Sequence, residues 1–232
     1  LMRKINTAVV LCAGFGKRLS PLTDKIPKPL LKINNITLLE NTLNLIKTLG
    51  IEKVLINTFY LKKYIEDFIN NKKFDLNIKI IEEKEIILDT GGGTLNLIKN
   101  TEENDFISFN PDTFWSKKNS NEILSMESLY LSKSIKNILM VVNKNKSFDK
   151  KLKGDFLLNS NKLLKSDQNE YIYTGCQIFN RSIFSGISEK VFSMSNIWNN
   201  LEKKNELYGY ESKENFNHVT NIHIYEELLK NY

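Results

Sequence analysis

Apolar and polar residues change period several times along this chain, and each change marks an element. Ala8-Val9-Val10-Leu11-Cys12-Ala13 is an unbroken apolar run ending at Gly14, the pattern of a strand buried on both faces of a parallel sheet. Thr37 and Glu40 form a capping box ahead of Leu39, Leu43, Ile46 and Leu49, and Gly50 stops that helix. Residues 51–57, rich in Val, Leu and Ile, read as a strand. Residues 60–70 carry Leu61, Tyr64, Ile65, Phe68 and Ile69 at helical spacing. The pattern then predicts a strand at 77–81, a glycine-led helix at 91–98 and a strand at 105–110. A long strand at 171–179 and a terminal helix at 222–230 close the series. Strand and helix in alternation specify an α/β protein with a mostly parallel sheet and helices on both faces. No linker, repeat or heptad seam divides the chain, so residues 1–232 are expected to form one domain.

Composition narrows the classes. A 41% hydrophobic content supplies a core, and 26% charged residues is ordinary for a globular protein. The net charge of +6 does not point to nucleic acid, because the lysines are spread along the chain among Asn, Glu and Asp. Their densest late group, Lys144, Lys146, Lys150, Lys151 and Lys153, reads as a solvated loop. Cys12 and Cys176 each sit inside an apolar run, which suggests buried, reduced thiols and a cytoplasmic location. No apolar stretch approaches the ~20 residues that cross a membrane, nor does the chain open with a signal-peptide pattern.

The candidate chemistry begins where the first strand ends. Gly14-Phe15-Gly16 lets the backbone turn tightly and bring N–H groups to an anion. Lys17, Arg18, Lys25 and Lys28 surround that turn with positive charge, as a phosphate site requires. A Walker A loop is excluded by its spacing, and a dinucleotide fingerprint by Leu19 where the third glycine belongs. In such sheets ligands bind beyond the carboxyl ends of the strands. There the third strand leads into Leu88-Asp89-Thr90-Gly91-Gly92-Gly93, where glycines opening a helix leave N–H groups for a base, ribose or phosphate. The next strand exits through Phe109-Asn110-Pro111-Asp112. Asp112 is a turn-former by type, and facing a phosphate loop it becomes a magnesium candidate.

The combination L-x-A-G-x-G-x-R-x-x-P-L-T, from Leu11 to Thr23, with Pro27-Lys28-Pro29 downstream, resembles the signature of the sugar-phosphate nucleotidyltransferases. These enzymes join a nucleoside triphosphate to a sugar 1-phosphate and release pyrophosphate. The resemblance implies a Rossmann-like domain and a Mg²⁺ cofactor. Short members of the family that use UTP and N-acetylmuramic acid 1-phosphate are nearest in pattern. They share Ile56-Asn57, Tyr64-Ile65-Glu66, the triple-glycine turn, Gly154-Asp155-Phe156 and Thr174-Gly175. By that likeness Leu11, Ala13, Gly14, Gly16 and Lys17 bind the nucleotide, with Arg18 on its phosphates. Lys28 meets the phosphates at the reacting centre, and Gly91 and Gly92 approach base and ribose. Asp112 binds Mg²⁺, and Asp155 and Gly175 face the sugar. Guanylyl, thymidylyl and cytidylyl transfer stay open as alternatives, as does a module that holds a nucleotide without turnover.

One segment departs from the family pattern. Where the family carries a second metal-binding aspartate near the C-terminus, this chain has Phe216-Asn217-His218-Val219-Thr220-Asn221. Imidazole is a poorer magnesium ligand than a carboxylate. His218 is therefore expected either to assist at the metal or to hold a structural hydrogen bond.

Overall fold

The computed structural model describes residues 4–232, so the first three residues of the expected domain lie outside it. Strand β1 (Thr7–Leu11) is followed by a glycine loop and a short hairpin, β2 (Lys32–Ile33) and β3 (Ile36–Thr37). Helix α1 (Leu38–Thr48) starts where expected, with one half of the capping box formed: the Thr37 hydroxyl accepts the Glu40 N–H at 3.0 Å, while the Glu40 carboxylate pairs with Lys72 Nζ at 2.6 Å. Then come β4 (Lys53–Thr58), α2 (Lys62–Lys72), β5 (Asn77–Glu82), α3 (Asp89–Ile98) and β6 (Asp105–Phe109). Helix α4 (Asn119–Ser132), β7 (Asn137–Asn143) and the hairpin β8 (Leu157–Asn159) and β9 (Lys162–Leu164) lead to β10 (Tyr171–Asn180). The chain finishes with α5 (Met194–Lys203), β11 (Tyr208–Ser212) and α6 (Ile222–Asn231).

Nine strands form one mixed sheet in the order β5-β4-β1-β6-β10-β7-β11-β9-β8. β5, β4, β1 and β6 are mutually parallel, with β1 central among them. β10 enters antiparallel between β6 and β7, and β11 lies parallel to β7. The α/β expectation holds, and two strands, β10 and β9, run antiparallel to their neighbours where simple strand–helix alternation would have kept the sheet parallel.

Consecutive residues of β1 supply opposite cores, because strand side chains alternate between faces. Ala8 and Val10 join Leu39, Leu43, Ile46, Ile65 and Met126 beneath α1, α2 and α4. Val9 joins Leu97, Phe106, Phe179, Ile197 and Leu201 beneath α3 and α5. Helices thus cover both faces. A third cluster packs α6, through Ile224, Tyr225 and Leu228, against Leu19, Leu31, Ile33 and Leu38. That contact braces the glycine loop from behind.

The element ends differ from the sequence pattern in ways the local chemistry explains. Helix α3 begins at Asp89, ahead of the glycines, with Asp89 itself at φ 60°. α2 starts later than expected, after Leu61 at φ 51°. β6 ends at Phe109: the Asn110 N–H still donates to the Gly175 carbonyl of β10 at 2.8 Å, but Pro111 has no N–H to carry the ladder further.

Candidate active site

A cavity of about 430 Å³ opens at the carboxyl ends of β1, β4, β5 and β6. Its first wall is the glycine loop: Leu11, Ala13, Gly14, Gly16, Lys17 and Arg18 all line it. Gly16 has φ +67°, and a Cβ there would lie 2.9 Å from Thr23 Cγ2 and 3.2 Å from Lys28 Cβ. The Thr23 hydroxyl donates to the Gly16 carbonyl at 3.0 Å. The turn therefore needs glycine both for its backbone angle and for the close approach of the segment carrying Lys28. Lys17 and Arg18 are exposed above the cavity. Lys25, although nearby in sequence, is not among the lining residues.

The Lys28 segment, packed against that loop, makes the site's charge contact with Asp112, just past β6. Lys28 Nζ lies 2.7 Å from Asp112 Oδ2, with the side chains only 13% and 23% exposed. His218 Nε2 approaches the same oxygen at 3.1 Å. Burial by itself pushes the Asp112 carboxyl up; the Lys28 ammonium and the His218 imidazole outweigh it and hold it well below the usual carboxylate range. Phe216 stacks on His218, with ring centroids 5.4 Å apart, and fixes the imidazole plane.

Backbone lacing brings these distant segments together. Val219 N–H donates to the Asp112 carbonyl at 2.9 Å, and Phe114 N–H to the Asn217 carbonyl at 2.8 Å. The Thr113 hydroxyl donates to the Thr174 carbonyl at 2.6 Å. Gly175, at φ +92°, sits where a Cβ would be 3.1 Å from Asn110 Cβ. Asp112, Gly175 and His218 are thus gathered at one end of the sheet. Asp155 joins from the side, its Oδ2 accepting the Tyr173 N–H at 2.9 Å. Asp155, Gly175 and His218 are not among the residues lining the cavity itself.

The glycines of α3 have a different local role from the one their sequence suggests. The N–H groups of Gly91 and Gly92 both donate to the Phe192 carbonyl, at 2.9 and 3.0 Å, so they are not free for a base or ribose. A Cβ on Gly92 would fall 2.3 Å from the Lys190 carbonyl oxygen. These glycines let the 190–192 segment press against the helix. The cavity wall at this end is instead Ile87, Asp89 and Thr90.

Asn57 and Glu83 belong to the site although sequence reasoning assigns them no role in it. Both are buried, 3% and 2% exposed, and both line the cavity. For Asn57 the available signal was a polar residue at the carboxyl end of the apolar run Val54-Leu55-Ile56. Cys12 also lines the cavity, but burial and the nearby Asp112 charge push its thiol up. Cys12 and Cys176 are both buried and unpaired.

Among the described residues no cluster of three or more His, Cys, Asp and Glu side chains could hold a metal ion. A magnesium ion in phosphoryl-transfer chemistry needs only one or two carboxylates, with substrate phosphates and water filling the rest. The Asp112 carboxylate, at the cavity wall, fits that limited demand. Among the described residues no helix is long and apolar enough to cross a membrane.

A cationic glycine loop facing a carboxylate at the switch side of a mostly parallel sheet defines a phosphate-handling α/β site. The chain belongs to the nucleotidyl transferase family, whose model matches residues 7–147, and it is an enzyme of that class. N-acetylmuramate alpha-1-phosphate uridylyltransferase from Caulobacter vibrioides is 23% identical over 219 residues, covering 91% of this chain and 90% of that protein. The Bifunctional protein GlmU of Methanococcus aeolicus is 39% identical over 106 residues, 45% of this chain and 24% of the relative's own length. Among solved structures, the inositol-1-phosphate CTP transferase from T. maritima superposes with a TM-score of 0.80 at 16% identity, covering 99% of this chain and 97% of that one. At that identity the superposition speaks for the fold.

Proposed function

We propose that this chain transfers a nucleotidyl group from UTP to N-acetylmuramic acid 1-phosphate, releasing pyrophosphate and a nucleotide sugar. The observation that carries the reading is the cavity itself, lined by the glycine loop with Lys17 and Arg18 and, packed beside that loop, by the Lys28–Asp112 pair. The near full-length similarity to a uridylyltransferase for that sugar supports the choice of substrates.

A phosphate oxygen of the sugar 1-phosphate attacks the α-phosphorus. A new P–O bond forms there, the bond from the α-phosphorus to the bridging oxygen breaks, and pyrophosphate leaves with the electron pair. A phosphate monoester has its second pKa at about 6, so the nucleophile is already ionised and needs no general base. The protein contributes positioning and charge. Backbone N–H groups of the Gly14–Gly16 turn and the Arg18 guanidinium hold the triphosphate. Lys28, aimed by Asp112, neutralises charge at the reacting phosphates. Asp112 would hold Mg²⁺, which when bound supplies further neutralisation of the leaving pyrophosphate. His218 orients the Asp112 carboxylate through its 3.1 Å contact. Asp155 and Gly175 border the side from which the sugar enters. Residues 1–232 act as one catalytic unit, and the two buried thiols accord with a cytoplasmic enzyme.

Magnesium-dependent pyrophosphate release, measured over a matrix of UTP, GTP, CTP and dTTP against N-acetylmuramic acid, mannose and glucose 1-phosphates, tests this. Release confined to UTP with N-acetylmuramic acid 1-phosphate is expected. Release with another pair would transfer the assignment to that pair. Nucleotide binding with no release from any pair would leave a binding module.

A further inference from the structure

Three strand exits beneath the nucleotide cavity are joined by a single buried hydrogen-bond chain. The Cys12 N–H, just past β1, donates to Asn57 Oδ1 at 2.7 Å. Asn57 Nδ2, at the end of β4, donates to Glu83 Oε1 at 2.6 Å. Glu83 Oε2, just past β5, accepts the Leu88 N–H at 2.8 Å, at the threshold of α3. One end of this chain is the glycine loop; the other is the Ile87–Thr90 wall. Gly93 is shaped around it, since a Cβ there would stand 2.8 Å from both Asn57 Nδ2 and Glu83 Oε1.

A buried carboxylate is costly, and a helix turn that gives up its Cβ to admit one weakens itself. Structural bracing alone could be had from an apolar contact. Both Glu83 oxygens are engaged within the protein, one from each wall. From this arrangement we infer that Asn57 and Glu83 are positioning residues: they fix the spacing between the two walls and so set nucleotide affinity, without taking part in phosphoryl transfer. The inference rests on the cavity being the nucleotide site, as proposed above.

The chain has a polarity that can be reversed. In Asn57→Asp, two carboxylates face each other; in Glu83→Gln, two amide NH₂ groups do. In the double swap N57D/E83Q, the carboxylate introduced at position 57 still accepts from Cys12. It also accepts a second bond from the amide introduced at position 83, whose oxygen accepts from Leu88. All three bonds and the net charge are restored.

Calorimetric titration of the full chain with each of UTP, GTP, CTP and dTTP in magnesium chloride, alongside kcat and KM, gives the test. Each single variant is expected to weaken binding of the preferred nucleotide and raise its KM by about tenfold or more, with kcat within about threefold. The double swap is expected to return both to within about threefold of wild type. Gly93→Ala, which wedges the pair apart, should raise KM like the single variants even if those fail to fold. A folded double swap no tighter than the singles would overturn the inference and point to direct contact between the Glu83 carboxylate and nucleotide. Unchanged affinity in Gly93→Ala would also overturn it. A wild-type chain that binds none of the four nucleotides would instead overturn the site assignment, and the inference with it.

Discussion

Lys28→Met separates what the Lys28–Asp112 contact does for the fold from what it does for the reaction. At 2.7 Å and an effective dielectric of about 20, the gross attraction is about 6 kcal/mol. Desolvation of both ions offsets most of that. With the side chains 13% and 23% exposed, and His218 still touching Asp112, an orphaned carboxylate costs about 1–3 kcal/mol. For a chain of this size that lowers Tm by about 3–10 °C. The reaction depends on Lys28 far more. Removing one charge-stabilising group from a water-poor site costs about 3–4 kcal/mol of the barrier, or about 10²–10³ in kcat. The double variant K28M/D112N removes both charges, so it should recover most of the lost Tm and none of the lost rate. Thermal melts and magnesium-dependent pyrophosphate release on the three proteins decide the matter. A Lys28→Met enzyme turning over within threefold of wild type, whatever its Tm, would refute the role given to Lys28.

Other consequences follow from the same geometry. The Asp112 carboxyl titrates lower folded than unfolded, so its contribution is complete above about pH 4 and is lost as pH falls further. The Tm difference between wild type and Asp112→Asn should therefore shrink below about pH 4 in melts run across that range. Gly16→Ala meets both a positive φ and the Thr23 and Lys28 side chains. It should cost about 1–2 kcal/mol in denaturant titrations and, by displacing Lys28, at least about tenfold in kcat. Cys12 and Cys176 are buried with their thiols pushed up. Iodoacetamide at pH 8 should leave both untouched in the native protein and label both in denaturant, as read by mass spectrometry. Labelling of Cys12 in the folded chain would mean the cavity floor opens.

The turn chemistry of the glycine loop and the Thr37–Glu40 cap lies within a few neighbouring residues, and there the sequence determined the outcome by itself. So did the α/β class, through Val-rich runs alternating with helical spacing. Helix α4, β7, α5 and β11 were not foreseen. The core of α4 comes from Ile123, Met126 and Tyr130, and its place in the fold depends on the far side of the sheet. Only the tertiary structure brought His218 to Asp112, because that meeting requires the 216–220 segment to run beside residues 112–114. Gly91 and Gly92 read as open N–H donors until Phe192 is seen occupying them. The Asn57–Glu83 chain likewise exists only because β1, β4 and β5 are neighbours in the sheet. Turn angles and caps are decided by interactions between adjacent residues, so a sequence carries them openly. Which strand exits face one another depends on sheet order, and that is settled by how the whole set of apolar faces is buried.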